Sequence, residues 1–316
     1  MRDTTSAKAT AVAAASGEYH PNPNGTTHAP LETGEYVDTT RDKVHMLVLE
    51  TDEPHPETQD RKGSFGEIFN ELFNLAGSKH DPPLAVTTSM QYIVEDPEKG
   101  NQGHVPTFDE IPENTRAIII TGSRYDAHGD MPWIQKLLDL LEQLWTKKPE
   151  VLMSGVCFGH QVIARLLGAG VVPEAGGKWE LAHTEMDLTS VGQKLFRTQD
   201  PKLFLHQMHQ DQVASIPSAK TSPLLTEGQN VHVWASTEHT PIQGLYIRDR
   251  IFTSQGHLGF DEAMVHKQIE MREASGSIKT SEAAAEGKEK AHLKHDGVVV
   301  AGAILRFFHG EDHDID

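Results

Sequence analysis

Cysteine and long apolar runs are nearly absent from this chain. Cys157 is the single cysteine among 316 residues, so no internal disulfide can form, and disulfide-stabilised secreted folds are excluded. No stretch approaches the roughly 20 consecutive apolar residues that a transmembrane helix needs, and hydrophobic residues make up only 37% of the chain. These two absences predict a cytoplasmic protein that is not embedded in a membrane.

Positive charge is also scarce. The chain has 28 lysine and arginine residues against 46 aspartate and glutamate residues, which gives a formal net charge of -18. A surface of this sign repels the phosphates of nucleic acids and of anionic lipids. We therefore expect neither nucleic acid nor a membrane surface as a partner.

Sequence signals for cofactors and metals are lacking as well. The segment Thr121–Ser123 has neither the glycine spacing nor the lysine of a phosphate-binding loop. His206 and His209 are three residues apart, but no second ligand pair at metal-binding spacing accompanies them. We therefore expect no cofactor and no metal ion.

Composition divides the chain into an ordered domain with two flanking segments. Residues 1–42 hold few large apolar side chains and cannot bury enough surface to offset the entropy of ordering, so we predict a disordered or extended N-terminal arm. Residues 43–309 contain the apolar runs and form one domain, in which about 275–297 is predicted to be a mobile insertion. Residues 310–316 form an acidic tail.

Strands and helices alternate along the first half of that domain. Val44–Glu50 and Ala117–Ile120 are short apolar runs typical of strands. An amphipathic helix begins near Ser64, where Ser64 and Glu67 can form a capping box, and another covers Trp133–Trp145. This order predicts an α/β fold with a mostly parallel or mixed central sheet and helices on both faces.

Cys157 lies where a strand, a tight turn and a helix meet. It occupies the centre of Gly155–Gly159, after the apolar run Val151–Met153 and before the helix-like stretch His160–Leu167. This pattern indicates a nucleophile elbow, in which small residues permit a strained turn that presents the side chain at the end of a sheet. The following helix N-terminus favours the thiolate. A buried structural cysteine is the alternative, but a glycine on each side favours the elbow.

A cysteine nucleophile requires a base and donors for the oxyanion. His257 ends an apolar strand about 100 residues after the thiol, and such strand ends meet at one edge of an open sheet. The backbone amide of Phe158 and an amide of the Gly122–Ser123 turn are the candidate oxyanion donors. Gly122 is equally explained as a simple turn residue.

Four segments in order carry a resemblance to a known family, the class I (triad) glutamine amidotransferases. They are the strand and turn Ile118–Ser123, the thiol segment Gly155–Gln161, the segment His209–Val213 and the segment Ser254–His257. The resemblance extends from about Val44 to Phe308. It implies a single flavodoxin-like three-layer domain with Cys157 as nucleophile, His257 as base, Gly122 and Phe158 at the oxyanion hole, and four substrate-binding residues: Ser123, Gln161, His209 and Asp211.

The chain departs from this family directly after the base. Where the family has His-Pro-Glu, this chain has His257-Leu258-Gly259, so the carboxylate that orients the histidine is missing from its usual position. Asp261 is the tentative replacement, and Glu262 is the second candidate. Without a replacement, a pair of cysteine and histidine remains, which suffices for some thiol chemistry because a thiol is more acidic than a hydroxyl.

The resulting functional prediction is a cysteine enzyme similar to glutamine amidotransferases, which attacks a carboxamide or γ-glutamyl amide through a thioester. A separate synthase that accepts ammonia is a possible partner, because no synthase domain is fused to the chain. A γ-glutamyl peptidase or a repurposed biosynthetic enzyme is one alternative. A non-catalytic binding or regulatory protein on the same scaffold is another.

Overall fold

The computed structural model describes residues 43–312 and residue 315. The predicted N-terminal arm, residues 1–42, and residues 313, 314 and 316 of the acidic tail lie outside the described residues. The strands are β1 (Val44–Glu50), β2 (Val86–Tyr92), β3 (Glu95–Asp96), β4 (Asn101–Gln102), β5 (Ala117–Ile120), β6 (Leu152–Val156), β7 (Val171–Pro173), β8 (Glu180–Leu188), β9 (Lys202–His209), β10 (Asp211–Val213), β11 (His232–Ser236), β12 (Gly244–Ile247) and β13 (Ile251–Ser254).

The helices follow the same chain order. They are α1 (Pro56–Lys62), α2 (Phe65–Ser78), α3 (Pro132–Lys147), α4 (Phe158–Leu166), α5 (Ser190–Phe196), α6 (Glu262–Ala274), α7 (Ser281–Lys290) and α8 (Gly297–Phe308). Within residues 43–312, no helix has both the length and the apolar character needed to cross a bilayer. The predicted capping box of α2 is confirmed, since Ser64 and Glu67 exchange both hydrogen bonds.

One large mixed sheet organises the described part of the chain. Its nine strands follow the order β2-β1-β5-β6-β13-β12-β11-β8-β9. The pairs from β2 to β13 are parallel, and those from β13 to β9 are antiparallel. The predicted α/β class with a mixed sheet is confirmed.

Two hydrophobic cores, one on each face of the sheet, account for the apolar runs. Met46 and Val48 of β1 belong to the core under α2 and α8, whereas Leu47 and Leu49 belong to the core under α3 and α4. Successive strand residues point to opposite faces, so a strand covered on both sides must be apolar throughout. This explains why β1 and β5 lack alternation and confirms helices on both faces.

A third, smaller core covers the end of the sheet near β8 and β9. It joins Met264, Val265 and Ile269 of α6 to Ala182 of β8 and to Ala284 of α7. Helix α7 lies within residues 275–297, the segment predicted to be a mobile insertion. The structure gives that segment a helix against β8, while its mobility stays a prediction.

Candidate active site

Cys157 occupies a strained turn between β6 and α4. Its backbone has φ 53° and ψ -104°, a region that side chains with a Cβ rarely adopt. The Cys157 amide donates to the Ser254 carbonyl at 2.8 Å, and its carbonyl accepts from the Gln161 amide at 3.1 Å. The turn predicted from Gly155–Gly159 is therefore present at the carboxyl end of the parallel strands.

The two flanking glycines are required by close backbone approach. A Cβ built on Gly155 would lie 2.3 Å from the carbonyl carbon of Gly159, and one on Gly159 would lie 2.3 Å from the oxygen of Ile120. Any larger residue would push the thiol turn away from β5. The glycines thus allow α4 to begin directly above the ends of β5 and β6.

The Cys157 thiol is buried, with 5% of the residue exposed. Burial raises its pKa to about 11, against the opposing effects of the Arg272 charge and of hydrogen bonds from the Phe158 amide and the Gln255 side chain. This direction differs from the sequence expectation of a thiolate favoured by the helix N-terminus. Desolvation of the charged form outweighs the favourable dipole here, so the resting thiol is protonated.

Gly122 lies next to both His257 and Cys157. A Cβ built on Gly122 would lie 2.8 Å from His257 Cε1 and 3.5 Å from Cys157 Cβ. The imidazole stacks on Phe260, with ring centroids 3.9 Å apart and planes 14° apart. The His257 amide donates to the His206 carbonyl at 2.8 Å. The ring is thus held by Phe260 and by its own backbone, and its Cε1 atom lies close to the turn at Gly122 and Cys157.

Burial holds His257 in its neutral form. Desolvation, followed by the charge of Arg272, places the pKa of His257 well below its ordinary value. Its Nε2 atom is buried without a hydrogen-bond partner in the described residues. A neutral imidazole is the form that can accept a proton, so this ring is chemically suited to act as a base.

No carboxylate in the described residues forms a hydrogen bond with His257. At Gly259, a Cβ would lie 2.9 Å from Ile68 Cγ2 of α2, so this apolar side chain occupies the space next to the usual glutamate position. Glu262 lies on the exposed first turn of α6.

The Asp261 carboxylate is engaged elsewhere. It accepts two hydrogen bonds from Arg61 at 2.7 and 2.9 Å, lies 3.1 Å from the Lys62 ammonium, and caps α6 through the Met264 amide at 2.9 Å. The structure therefore does not bring Asp261, the tentative third catalytic residue, into contact with His257. The reason is that a residue at the N-cap of α6 points its side chain at its own helix.

A cleft of about 810 Å³ opens over the thiol. Its walls include Cys157 and the four predicted substrate residues, Ser123, Gln161, His209 and Asp211. Gln161 Nε2 donates to the Asp211 carbonyl at 2.8 Å and to Gln255 Oε1 at 3.1 Å. Ser123 Oγ donates to the Thr51 carbonyl at 2.6 Å, which fixes the turn that carries Gly122.

The buried carboxylate of Glu180 contacts the ring of His209. Glu180 Oε2 lies 2.9 Å from His209 Nε2, and His209 Nδ1 lies 3.0 Å from the Asp211 carbonyl. Burial alone would raise the pKa of Glu180, but the contacts with His209 and further side chains hold it below its ordinary value. These further donors are Thr237, Thr240 and Gln243.

Two further residues of the site were not identified from the sequence: Arg272, which lines the cleft, and Glu180, which contacts the cleft residue His209. Glu180 opens the alternating strand β8, and a carboxylate at an inward position would have been the signal if the register were known. Arg272 lies on α6 and no sequence signal marks it. Among the described residues, no group of three or more histidine, cysteine, aspartate or glutamate side chains is placed to hold a metal.

A lone cysteine on a strained strand-to-helix turn, beside a histidine at the end of a neighbouring strand, defines a thiol site on a flavodoxin-like α/β sheet. The model of the class-I glutamine amidotransferase family matches residues 104–262, half of the chain. The chain therefore belongs to the class I glutamine amidotransferase family.

Curated relatives agree with this assignment. A glutamine amidotransferase-like protein of Schizosaccharomyces pombe is 26% identical over 83% of this chain and 98% of its own length. A protein of Saccharomyces cerevisiae named as a glutamine amidotransferase is 35% identical over 60% of this chain and 70% of its own length. Gamma-glutamyl peptidase 4 of Arabidopsis thaliana is 27% identical over 75% of this chain and 84% of its own length.

The fold has counterparts among solved structures. A glutamine amidotransferase from Thermotoga maritima superposes with a TM-score of 0.56 at 18% identity, over 86% of this chain and 99% of that chain. At this identity the likeness concerns the fold, and the chemistry has to be argued from the residues of the cleft.

Proposed function

We propose that this protein is a cysteine hydrolase that cleaves γ-glutamyl amides, with Cys157 as nucleophile and His257 as base. The observation that carries the proposal is the cleft of about 810 Å³ over the thiol. Clefts of this size accommodate ligands of the size of drug molecules, which leaves room for a group attached to the glutamyl amide. The similarity to Gamma-glutamyl peptidase 4 supports the same substrate class.

The reaction begins with proton transfer inside the cysteine and histidine pair. Neutral His257 takes the thiol proton, and the sulfur of Cys157 attacks the γ-carbonyl carbon of the substrate. The carbonyl electron pair moves to oxygen, and the resulting oxyanion accepts hydrogen bonds from the backbone amides of Phe158 and Gly122. The imidazolium then donates its proton to the amide nitrogen, the carbon–nitrogen bond breaks, and the amine leaves.

Hydrolysis of the thioester completes the cycle. His257 takes a proton from a water molecule that attacks the thioester carbonyl, and the imidazolium returns that proton to the sulfur as the carbon–sulfur bond breaks. Glutamate leaves and the thiol is restored. In this proposal Gln161, His209 and Asp211 shape the pocket, and Ser123 holds the turn that presents the Gly122 amide.

The pair works without a carboxylate on His257. A thiol needs less activation than a serine hydroxyl, and the imidazole is oriented by its stacking on Phe260. Asp261 is not assigned a catalytic role here, because Arg61, Lys62 and the N-terminus of α6 engage its oxygens.

Glutamine hydrolysis with delivery of ammonia to a separate synthase is the second candidate, favoured by the relatives named as glutamine amidotransferases. Purified protein is incubated with γ-glutamylglycine or with free glutamine, and released glycine and ammonia are measured. We expect faster cleavage of γ-glutamylglycine and no cleavage by Cys157→Ala. Faster ammonia release would support the second candidate. Inactivity toward both compounds would refute the hydrolase and favour a binding protein.

A further inference from the structure

Arg272 of α6 is partly buried and lines the same cleft as the thiol. In the part of the chain that the structure describes, its guanidinium forms no ion pair. Nη1 donates to the Gln268 carbonyl at 3.2 Å and to Gln268 Oε1 at 2.5 Å. The guanidinium carbon lies 5.4 Å from the ring centroid of Trp179. These contacts fix the position of the cation without neutralising it.

Two acidic side chains of this region, Asp52 and Asp211, are already paired, while Glu53 and Asp126 also line the cleft. Asp52 interacts electrostatically with Arg272, but both of its oxygens bind Arg124, at 2.8 Å to Nε and at 2.7 Å to Nη2. Asp211 lies 3.2 Å from His128 Nδ1. A partly buried cation without an ion-pair partner among the described residues keeps its full charge, so an anion that enters the cleft would gain a charge-assisted contact with Arg272.

The position of Arg272 relates it directly to the reacting sulfur. Arg272 lines the cleft together with Cys157, and it also lines a small cavity beside His257. Of the charges that act on the thiol, that of Arg272 has the largest favourable effect on the thiolate. An anionic group of a substrate can therefore reach the guanidinium while its amide lies at the sulfur.

We propose that Arg272 is a substrate-binding residue that holds a carboxylate of the γ-glutamyl compound. The inference rests on the proposed function and specifies its substrate class as anionic γ-glutamyl compounds. The carboxylate belongs either to the glutamyl group or to the group released from it. The planar guanidinium suits both, because it offers paired donors that match the two oxygens of a carboxylate.

The test measures binding, so that it does not depend on turnover. Cys157→Ala protein is titrated in a calorimeter with three ligands: γ-glutamylglycine, γ-glutamylglycinamide and 4-aminobutyrylglycine. The first ligand has both carboxylates, the second only the glutamyl one, and the third only that of glycine. Adding Arg272→Gln should weaken γ-glutamylglycine binding by on the order of 10- to 100-fold, the usual effect of losing a charge-assisted hydrogen bond.

The other two ligands identify the carboxylate. The one that keeps the carboxylate held by Arg272 should respond to Arg272→Gln as strongly as γ-glutamylglycine, and the one that lacks it should be insensitive. Arg272→Lys should restore part of the affinity, because lysine keeps the positive charge but lacks the paired donors of the guanidinium. Lys267→Gln is the matched control: it removes a cation of the same helix that binds Glu57 and Glu270, and it should change nothing.

The outcomes separate this inference from the proposed function. Equal weakening of all three ligands by Arg272→Gln would indicate a purely structural role and overturn the inference, as would unchanged affinity or failure of the Cys157→Ala protein to bind any of the three. Binding that depends on Arg272, in a wild-type protein that does not cleave γ-glutamylglycine, would refute the hydrolase alone. Cleavage with binding independent of Arg272 would refute only the role of Arg272.

Discussion

At the residue scale, burial keeps both members of the thiol pair uncharged. It raises the pKa of Cys157 to about 11 and lowers that of His257 well below its ordinary value. The free protein therefore contains a thiol and a neutral imidazole, and the charged pair forms only as the reaction proceeds. No carboxylate among residues 43–312 binds His257, so none of these residues stabilises an imidazolium in the resting state.

This electrostatic state predicts slow alkylation of Cys157 at neutral pH. With a pKa of about 11, roughly one thiol in ten thousand is ionised at pH 7. We expect the rate with iodoacetamide to rise about tenfold per pH unit from pH 7 to pH 10, followed by mass spectrometry of the intact chain with its single cysteine. Arg272→Gln should slow the reaction further. A rate that reaches a plateau below pH 9 would contradict the buried, protonated thiol.

Gly122 carries a steric role that can be tested separately. A methyl group at this position would lie 2.8 Å from His257 Cε1, and any movement of the ring disturbs its stacking on Phe260. Gly122→Ala should displace the imidazole and lower kcat/KM for γ-glutamylglycine about 100-fold, the cost of a displacement near 1 Å. Gly170→Ala is the control, since its nearest neighbour would be 3.7 Å away. Equal activity of the two variants would show that Gly122 is only a turn residue.

At the scale of elements, helix α2 explains the missing carboxylate. Ile68 of α2 packs against Gly259, in the loop that leads from His257 into α6. The side chain of Ile68 and the small residue Gly259 are therefore complementary in size, and a larger residue at position 259 requires a smaller one at position 68. The Asp261 side chain serves the same junction, where it caps α6 and binds Arg61 and Lys62 next to α2.

This packing predicts coupled effects of two substitutions. Gly259→Glu, which restores the family residue, places its Cβ 2.9 Å from Ile68 Cγ2 and should lower the free energy of unfolding by about 1–3 kcal/mol through overpacking. Ile68→Ala alone should cost about 2–5 kcal/mol by leaving a cavity. The double variant should be more stable than the sum of the two losses by about 1 kcal/mol or more. Urea unfolding gives the free energy of unfolding of all three variants. Strictly additive losses would show that the two positions are not coupled.

The strands and helices of the first half could be predicted from the sequence, and the surroundings of Arg272 could not. β1 and β5 are covered on both faces and read as apolar runs, and the capping box of Ser64 marks the start of α2. The turn at the thiol could be predicted because a glycine on each side of Cys157 is best explained by a tight turn. Glu180 reaches His209 through the register of β8 and β9, and Arg272 reaches the cleft through the packing of α6. Both depend on contacts distant in sequence. Asp261 was a candidate because it follows His257 closely in sequence. Closeness in sequence does not give the direction in which a side chain points.

At the scale of the whole molecule, buried neutral histidines collect around the antiparallel half of the sheet. Burial lowers the pKa of His160 and of His206 to about 3, and it also lowers those of His257 and His295. His206 and His295 lie with ring centroids 4.7 Å apart, and the His206 carbonyl holds the amide of His257. Protonation of any of these rings therefore disturbs the core that supports the site.

These histidines predict a protein that is unstable in acid. In the unfolded chain they bind protons near pH 6.5, whereas in the fold they stay neutral to much lower pH, so the unfolded state binds more protons and stability falls as pH decreases below about 6.5. His160 and His206, whose pKa values are lowered to about 3, should each cost about 1 kcal/mol between pH 6.5 and 5.5, measured by urea unfolding across that range. His160→Asn preserves a hydrogen-bonding group for Thr253 and should reduce the loss of stability over this range by about 1 kcal/mol. A stability that does not change between pH 7.5 and 5.5 would mean that the four rings are hydrated or protonated in the folded protein.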